Sequence, residues 1–369
     1  MQNYNNYEYL GRHSEMAETL NRYSHSQPLV VSTPISINKV QLDIKNARKM
    51  SGGQGKVFLL KQYKEQICVK LFDLDETDKT YPYIMKKRAK NVQNALQILA
   101  NMSRVDSKTV LLFNQLNIPR CYIEDPEDGK LRGLLIPTAP RSCYKSFNNF
   151  TEKQCVTLNY IVSRNDRFIN PNREPNDQLT EIAKWSFLDS LCQAINSLHA
   201  LHLIHADISS SNVFVRWADS STPKAYVIDA FNGYSDVGGN KELKHMFSDV
   251  YCPTSVLRCE YTPATDVYCL AWWIIHIVFG MDPEPIREAR PGIRALKAKS
   301  SVVFSRHNYV VSNFPKARRA LPSNFFYTLL DCIHQDPEKR PTSGELFAVV
   351  HDYWMNLSEG DEYKMNIHD

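Results

Sequence analysis

The sequence predicts an α+β fold in which a small, sheet-rich N-terminal part with one main helix precedes a larger helical part. Short segments rich in β-branched residues follow one another up to about residue 141. A long amphipathic stretch at 179–203 and an apolar run at 270–279 indicate helices after that point. We therefore predict one domain over 29–141 and a second over 142–358. Residues 1–28 form a flexible N-terminal tail in this prediction, and 359–369 form a C-terminal tail.

The N-terminal part reads mostly as strands. Tyr81–Met102 is predicted as its main helix, because apolar residues recur there at helical spacing and no proline interrupts them after the first turn. Asp128-Gly129 predicts a hairpin, because this dipeptide favours a tight turn between two strands. The predicted strands lie at 29–31, within 35–44, at 57–60, at 67–72 and on both sides of that hairpin within 122–136.

The C-terminal part reads mostly as helices. Leu270–Phe279 is apolar on nearly every side, so we predict a buried central helix there. A polar hairpin at 219–223 separates two predicted strands. The other predicted elements are helices at 179–203, 325–333 and 346–354, strands at 212–215 and 225–228, and a polar loop at 163–178.

Composition excludes some classes of function. The chain has 369 residues, of which 43% are apolar and 23% are charged, as in ordinary globular proteins. Its net charge of +4 is too small over this length to predict a nucleic-acid binder. The basic run Lys86–Lys90 fits a solvated helix face, with an anion or partner site as the alternative.

Cysteine spacing and the N-terminus bear on the compartment. No two of the nine cysteines form a Cys-x-x-Cys pair, so nothing indicates a zinc or thioredoxin-like site. The polar N-terminus lacks the pattern of a secretory signal, and no apolar run reaches the ~20 residues of a membrane span. We therefore predict a cytoplasmic protein without a membrane span.

Two features of the N-terminal part are suited to phosphate binding. Gly52, Gly53 and Gly55 precede a strand, and a glycine-rich turn exposes backbone N–H groups to anions where side chains would clash. Lys70 lies among apolar residues near the end of another strand, where an ammonium group needs an anionic partner. Each feature has a plainer interpretation: an ordinary turn for the glycines, and an edge lysine that reaches solvent for Lys70.

Two features of the C-terminal part are suited to metal and proton chemistry. Asp207 and Asn212 flank a run of serines between a helix and a strand, so one loop could hold a carboxylate for a hydroxyl proton and an amide oxygen for a metal. Asp229 ends a β-branched strand, where it could bind Mg²⁺. The plainer interpretations are a capped polar turn and a turn aspartate.

The order of these four features predicts phosphoryl transfer from ATP, because that reaction needs a phosphate cradle, a lysine, a base and metal ligands. Over roughly residues 40–355 the chain resembles a eukaryotic-type protein kinase domain, in a divergent form similar to bacterial Ser/Thr-kinase-like proteins. The resemblance implies a bilobal fold with a β-rich N-lobe and a helical C-lobe.

The resemblance also implies roles for individual residues. Gly52, Gly53, Gly55 and Val57 match the glycine-rich loop that covers ATP, and Lys70 matches the lysine that clamps its phosphates. His205-Ala206-Asp207 resembles the catalytic loop. This match makes Asp207 the implied base, with Asn212 and Asp229 as implied Mg²⁺ ligands. Asp266 resembles the aspartate that braces the catalytic loop, and Arg340 resembles a structural arginine of the late kinase motif.

The sequence departs from the kinase pattern at several points. The predicted helix 81–102 contains no glutamate to pair with Lys70, and Glu76, Asp78 and Gln93 are the open alternatives. Ser209 replaces the common catalytic-loop lysine. The Ala-Pro-Glu signature survives only as Cys252-Pro253-Thr254, which leaves Arg340 without its customary acid.

These observations predict a protein kinase that uses ATP and Mg²⁺ to phosphorylate a Ser/Thr hydroxyl of an unknown protein substrate. One alternative is a pseudokinase that binds a nucleotide or acts as a scaffold, which the departures motivate. The other is a small-molecule phosphotransferase, because the His-x-Asp-x₄-Asn pattern also suits enzymes that modify antibiotics. The C-lobe motifs around Asp266 and Arg340 argue against this second alternative.

Overall fold

A computed structural model describes two compact units of this chain. The first takes the described residues of Met1–Phe113, Asn117–Ala139 and Phe231–Gly233, and the second takes those of Asn114–Leu116, Pro140–Ala230 and Tyr234–Asp369. The described residues are 30–32, 37–38, 48–52, 55–60, 67–72, 87–88, 90–92, 94–95, 115–119, 121–124, 131–145, 154–158, 180–217, 222–231, 233–235, 261–279 and 321–365.

The first unit is built on a seven-stranded sheet. Its neighbouring strands all pair antiparallel, in the order β2-β1-β6-β7-β5-β4-β3. The strands are β1 (Val30–Ser32), β2 (Ile37–Asn38), β3 (Arg48–Gly52), β4 (Gly55–Leu59), β5 (Ile67–Phe72), β6 (Cys121–Glu124) and β7 (Leu131–Pro137).

Strand β5 lies inside this sheet, between β4 and β7. Its sequence Ile-Cys-Val-Lys-Leu-Phe is apolar at almost every position, as expected for a strand covered on both faces. Val69 and Leu71 are buried, as are Leu134 and Leu135 of the neighbouring β7. This packing fixes the backbone that carries Lys70.

Four helices form the framework of the part of the second unit that the structure describes. They are α1 (Glu181–Ala200), α2 (Pro263–Phe279), α3 (Ser323–Cys332) and α4 (Ser343–Met365). Small antiparallel pairs of strands accompany them: β8 (Tyr144–Lys145) with β9 (Gln154–Cys155), β10 (Leu203–Ile204) with β13 (Tyr234–Ser235), and β11 (Val213–Arg216) with β12 (Lys224–Val227).

The helix starts follow from capping chemistry. The Thr180 hydroxyl accepts a hydrogen bond from the Ala183 N–H at the start of α1. At α4, the Glu345 carboxylate accepts from the Thr342 N–H while the Glu345 N–H donates to the Thr342 hydroxyl, which is a capping box. The N–H and the hydroxyl of Thr342 both donate to the Glu345 carboxylate and lower its pKa below the usual value.

Aromatic side chains fill the core between the helices. Trp185 of α1 packs against Phe325 of α3 and Tyr353 of α4, with ring centroids 5.4 and 4.6 Å away. Tyr268, Trp272 and Trp273 make α2 buried on nearly all sides. The predicted buried central helix is therefore confirmed, although it begins seven residues before Leu270.

Several predicted bounds differ from the structure. Strand β5 matches its prediction, and the helices predicted at 179–203 and 325–333 are confirmed within three residues. α4 continues to Met365, into the predicted C-terminal tail. The sequence did not predict this extension, because the last turns are polar and carry no apolar period. Of the predicted helix 81–102, residues 87–88, 90–92 and 94–95 are helical. The tail 1–28, the loop 163–178 and the turn Asp128-Gly129 lie outside the described residues.

Within the part of the chain that the structure describes, no helix has the length and apolar character needed to cross a bilayer. Six cysteines in that part, at positions 68, 143, 155, 192, 269 and 332, are free thiols.

Candidate functional site

The first unit places the predicted phosphate-binding residues on three neighbouring strands. Gly52 and Gly55 face each other across the β3–β4 hairpin, and Val57 is the cross-strand partner of Lys70. The Lys70 side chain is 4% exposed. This burial argues against the interpretation of Lys70 as an edge lysine that reaches solvent. Gly53 lies outside the described residues.

The second unit holds Asp207 and Asn212 together as a pair. Both belong to the loop between β10 and β11, which we call the catalytic loop (residues 205–212). The amide Nδ2 of Asn212 donates to the backbone carbonyl of Asp207 at 3.0 Å and to its carboxylate Oδ2 at 2.9 Å. Because Nδ2 makes both bonds, the Asn212 Oδ1 is left as an acceptor, and no residue that the structure describes donates to it.

His205 connects this loop to the strand that leads to Asp229. Its Nδ1 accepts from the Asp207 N–H at 3.2 Å, so Nε2 must carry the proton that it donates to the Ile228 carbonyl at 2.9 Å. The Ile228 N–H donates to the Asn212 carbonyl at 2.9 Å. The backbone on both sides of Ile228 is thereby fixed, and Asp229 follows directly, beside Asn212.

Two residues of this region have left-handed backbone angles that side chains disfavour. Ala206 has φ 63° and Asp229 has φ 59°. Such conformations cost about 1–3 kcal/mol each and persist only where the surrounding structure enforces them. They occur next to Asp207 and at Asp229 itself, which points to a functional constraint on both.

Helix α2 enforces the loop conformation. The Asp266 carboxylate accepts the His205 N–H at 2.8 Å and the Ala206 N–H at 2.9 Å, and it is fully buried. The Trp273 indole N–H donates to the Ile208 carbonyl at 2.8 Å. The predicted brace by Asp266 is confirmed, and Trp273 is a second brace that the sequence analysis missed.

His199 extends this network to two other helices. Its Nε2 lies 2.9 Å from the Asp266 Oδ2, and its Nδ1 lies 2.8 Å from the Ser343 hydroxyl at the start of α4. The Ser343 hydroxyl donates to the Asn196 side chain at 3.1 Å. These three residues could not be selected from the sequence, because a histidine on an amphipathic helix gives no signal of its partners.

Arg340 is structural, as predicted. The guanidinium donates to the carbonyls of His334, Gln335 and Ala264 at 2.8–3.2 Å and lies 4.9 Å from the Tyr268 ring centroid. Among the residues that the structure describes, backbone carbonyls thus replace the customary acid. Residues 252–254 lie outside that part of the chain.

The structure therefore pairs Asp207 with Asn212 in the second unit and places Asp229 directly after Ile228, whose N–H donates to the Asn212 carbonyl. It brings Gly52, Gly55, Val57 and Lys70 together in the first.

Comparison with known proteins identifies the family of the chain. The family model described as protein kinase domain matches residues 142–355, more than half of the chain. Over 234 residues the chain is 26% identical to a Dictyostelium discoideum protein named "Probable serine/threonine-protein kinase". The match covers 62% of this chain and 12% of that protein, so the chain spans only a small part of this relative's length. The chain belongs to the protein kinase domain family.

Proposed function

We propose that this protein transfers the γ-phosphoryl group of ATP to a Ser/Thr hydroxyl in a Mg²⁺-dependent reaction, with Asp207 as the base. The observation that carries the proposal is the double hydrogen bond from Asn212 to Asp207, because it fixes a carboxylate and an amide oxygen as one unit. A capped polar turn would not need the same amide to hold both the carbonyl and the carboxylate.

The donor set fits Mg²⁺. Asn212 offers an amide oxygen without a donor among the described residues, and Asp229 offers a carboxylate. Mg²⁺ prefers oxygen ligands and is commonly bound by one or two protein groups together with phosphates and water. The described residues contain no cluster of three His, Cys, Asp or Glu side chains that would indicate a different metal. When bound, Mg²⁺ would neutralise the charge on the transferring phosphoryl group.

The nucleotide contacts in this proposal come from the first unit. Gly52, Gly53 and Gly55 supply backbone N–H groups to phosphate oxygens, and the Lys70 ammonium pairs with the same phosphates. Burial of Lys70 strengthens this pairing, because an ion pair gains energy as the dielectric constant falls.

The transfer step requires few chemical groups from the protein. The acceptor hydroxyl oxygen bonds to the γ-phosphorus as the bond to the leaving ADP oxygen breaks, and the hydroxyl proton passes to the Asp207 carboxylate. The transition state is loose, so most of the acceleration comes from positioning and electrostatics. The Asn212 amide holds the carboxylate in one orientation for this step. A Ser/Thr acceptor is supported by the name of the Dictyostelium relative.

The test is phosphorylation of the purified protein and of a mixed peptide library with labelled ATP and Mg²⁺, followed by phosphosite mapping. Asp207→Asn should lower the transfer rate by about 10²–10⁴-fold, the usual effect of losing a proton-transfer group, while nucleotide affinity stays near wild type. Asp229→Ala should instead weaken Mg²⁺-ATP binding in calorimetry. Asp331→Asn, an exposed aspartate of α3, is the matched control and should change neither quantity. Transfer by Asp207→Asn at the wild-type rate would remove Asp207 from the mechanism.

A pseudokinase is the second candidate, and Ser209 is the observation that favours it. Ser209 stands where the family has a lysine, it is buried, and its hydroxyl bonds to that of Ser211 at 2.9 Å. The loop therefore offers no ammonium group at this position. Binding of Mg²⁺-ATP without any transfer by the wild-type protein would support this candidate. Transfer to a small alcohol or aminoglycoside but to no peptide would indicate the small-molecule alternative.

A further inference from the structure

The helical residues 87–88, 90–92 and 94–95, which we call the N-terminal helical stretch, contact the segment that follows Asp229. The Asn91 Nδ2 donates to the Gly233 carbonyl at 2.9 Å, across 142 positions of sequence. Both residues belong to the first unit, to which the chain contributes Phe231–Gly233 between two stretches of the second. This contact is therefore internal to the first unit.

The burial pattern of the helical stretch places Asn91 on its inner side. Val92 and Ala95 are buried and Asn91 is half-buried, whereas Lys90 and Asn94 are exposed. Asn91 thus shares a face with apolar residues at helical spacing. A polar side chain in that position needs a hydrogen-bond partner, and the Gly233 carbonyl provides one.

Gly233 supplies independent evidence for the closeness of this contact. Its φ is 81°, a region that L side chains rarely adopt. A Cβ atom at this position would lie 2.7 Å from the Arg88 Cβ and carbonyl oxygen and 2.8 Å from its Cα. The helix backbone and the Gly233 backbone therefore meet directly, with no room for a side chain between them.

The contact fixes the far end of a short segment that begins at Asp229. At the near end, Ile228 is held by Asn212 and His205. Between the two ends, Ala230 and Phe231 are buried. Only three residues lie between Asp229 and Gly233, so the position of the Gly233 carbonyl limits the positions open to the Asp229 carboxylate.

We infer that Asn91 is a positioning residue for the metal-binding aspartate, and this inference rests on the proposed function. The predicted helix 81–102 contains no aspartate or glutamate, so it provides no carboxylate to pair with Lys70. A neutral amide on the same helix instead holds the segment after Asp229. In this proposal Asn91 acts on Asp229 through the Gly233 carbonyl and the chain that joins the two residues.

The test compares Asn91→Leu with Asn94→Leu. The control changes the same residue type in the same way, three positions along the same helix and on its exposed side. Asn91→Leu should raise the Mg²⁺ concentration for half-maximal ATP binding about fivefold, the size expected for one lost neutral hydrogen bond. Asn94→Leu should leave it unchanged, and ATP binding in EDTA should be the same in all variants.

Hydrogen exchange of the ligand-free protein gives a second readout. Amides of residues 229–235 should exchange about fivefold faster in Asn91→Leu than in Asn94→Leu. If Asn91→Leu folds poorly, Asn91→Asp takes its place in the test. Asn91→Asp keeps the side-chain shape but cannot donate a hydrogen bond, so the result expected for Asn91→Leu applies to it as well. Asn91→Gln, which keeps the amide, should recover part of the Mg²⁺ response.

Each result decides a separate point. Faster exchange with an unchanged Mg²⁺ response would show that the contact is structural only and would overturn the inference. Unchanged exchange would overturn the contact itself. Wild-type protein that binds Mg²⁺-ATP without transferring phosphate would refute the proposed function but leave the positioning role intact. Wild-type protein that does not bind Mg²⁺-ATP would refute both the proposed function and the positioning role of Asn91.

Discussion

Replacing Asp266 by asparagine should destabilise the second unit and disable the catalytic loop together. The carboxylate is fully buried and receives three N–H groups: Oδ1 accepts from Ala206, and Oδ2 accepts from His205 and His199. Asparagine keeps the shape of the side chain but turns one oxygen into a donor. Whichever way the amide is placed, at least one buried N–H faces another donor.

The cost can be estimated from these contacts. The better orientation directs the amide oxygen towards His205 and His199 and leaves the Ala206 N–H without an acceptor. One unsatisfied buried donor costs about 1–3 kcal/mol, and the two remaining bonds lose their charge assistance, so we expect a total of about 2–4 kcal/mol. For a unit of this size the midpoint of thermal unfolding should fall by roughly 5–15 °C.

The assay is urea unfolding followed by tryptophan fluorescence, since the chain has five tryptophans. Asp331→Asn changes an exposed aspartate in the same chemical way and should stay within about 0.5 kcal/mol of wild type. The transfer rate, measured well below the unfolding midpoint, should also fall in Asp266→Asn, because Ala206 is no longer held at positive φ. Wild-type stability in Asp266→Asn would refute the bracing role.

Two further predictions concern Arg340 and the cysteines of β8 and β9. Arg340→Lys should lower the free energy of unfolding by about 2–4 kcal/mol, because one ammonium group cannot reach all three carbonyls. The control is Lys339→Ala, which changes the exposed neighbouring residue and should have little effect in the same urea assay. Burial raises the pKa of Cys143 to about 12, with Cys155 contributing and Arg216 opposing, and burial also raises the pKa of Cys155 to about 12. At pH 8 only about 10⁻⁴ of each thiol is ionised, so iodoacetamide should label both thiols far more slowly in the native protein than in urea. Peptide mass spectrometry measures the two labelling rates. Equal rates would contradict the burial of these thiols.

The order of residues along the chain indicated the candidate site residues better than it indicated their contacts. Asp207, Asn212 and Asp229 could be selected because a strand or loop end, a polar residue type and a fixed spacing are all visible in one dimension. The partners of these residues could not. Trp273 resembles any buried aromatic of an apolar helix, and Asn91 resembles any surface asparagine until the position of Gly233 is known.

The secondary structure, too, was predicted well only where a local pattern in the sequence is clear. Strand β5 was predicted residue for residue because its apolar run has clear polar ends. Strands β8, β9, β10 and β13 have two residues each, too few to show a period, and only the surrounding tertiary structure defines them. α4 was predicted too short, because its last turns are polar and give no periodic signal.

Helix α2 accounts for the placement of Asp207 more fully than the loop itself does. Asp266 and Trp273 are seven residues apart, so they lie on one face of the helix about 10 Å from each other. Asp266 accepts the N–H groups of His205 and Ala206, which precede Asp207, and Trp273 donates to the carbonyl of Ile208, which follows it. The residue proposed as the base is thus held from both sides by one rigid, buried helix. Such an arrangement lets the serine-rich remainder of the loop vary, as Ser209 does, without moving the carboxylate.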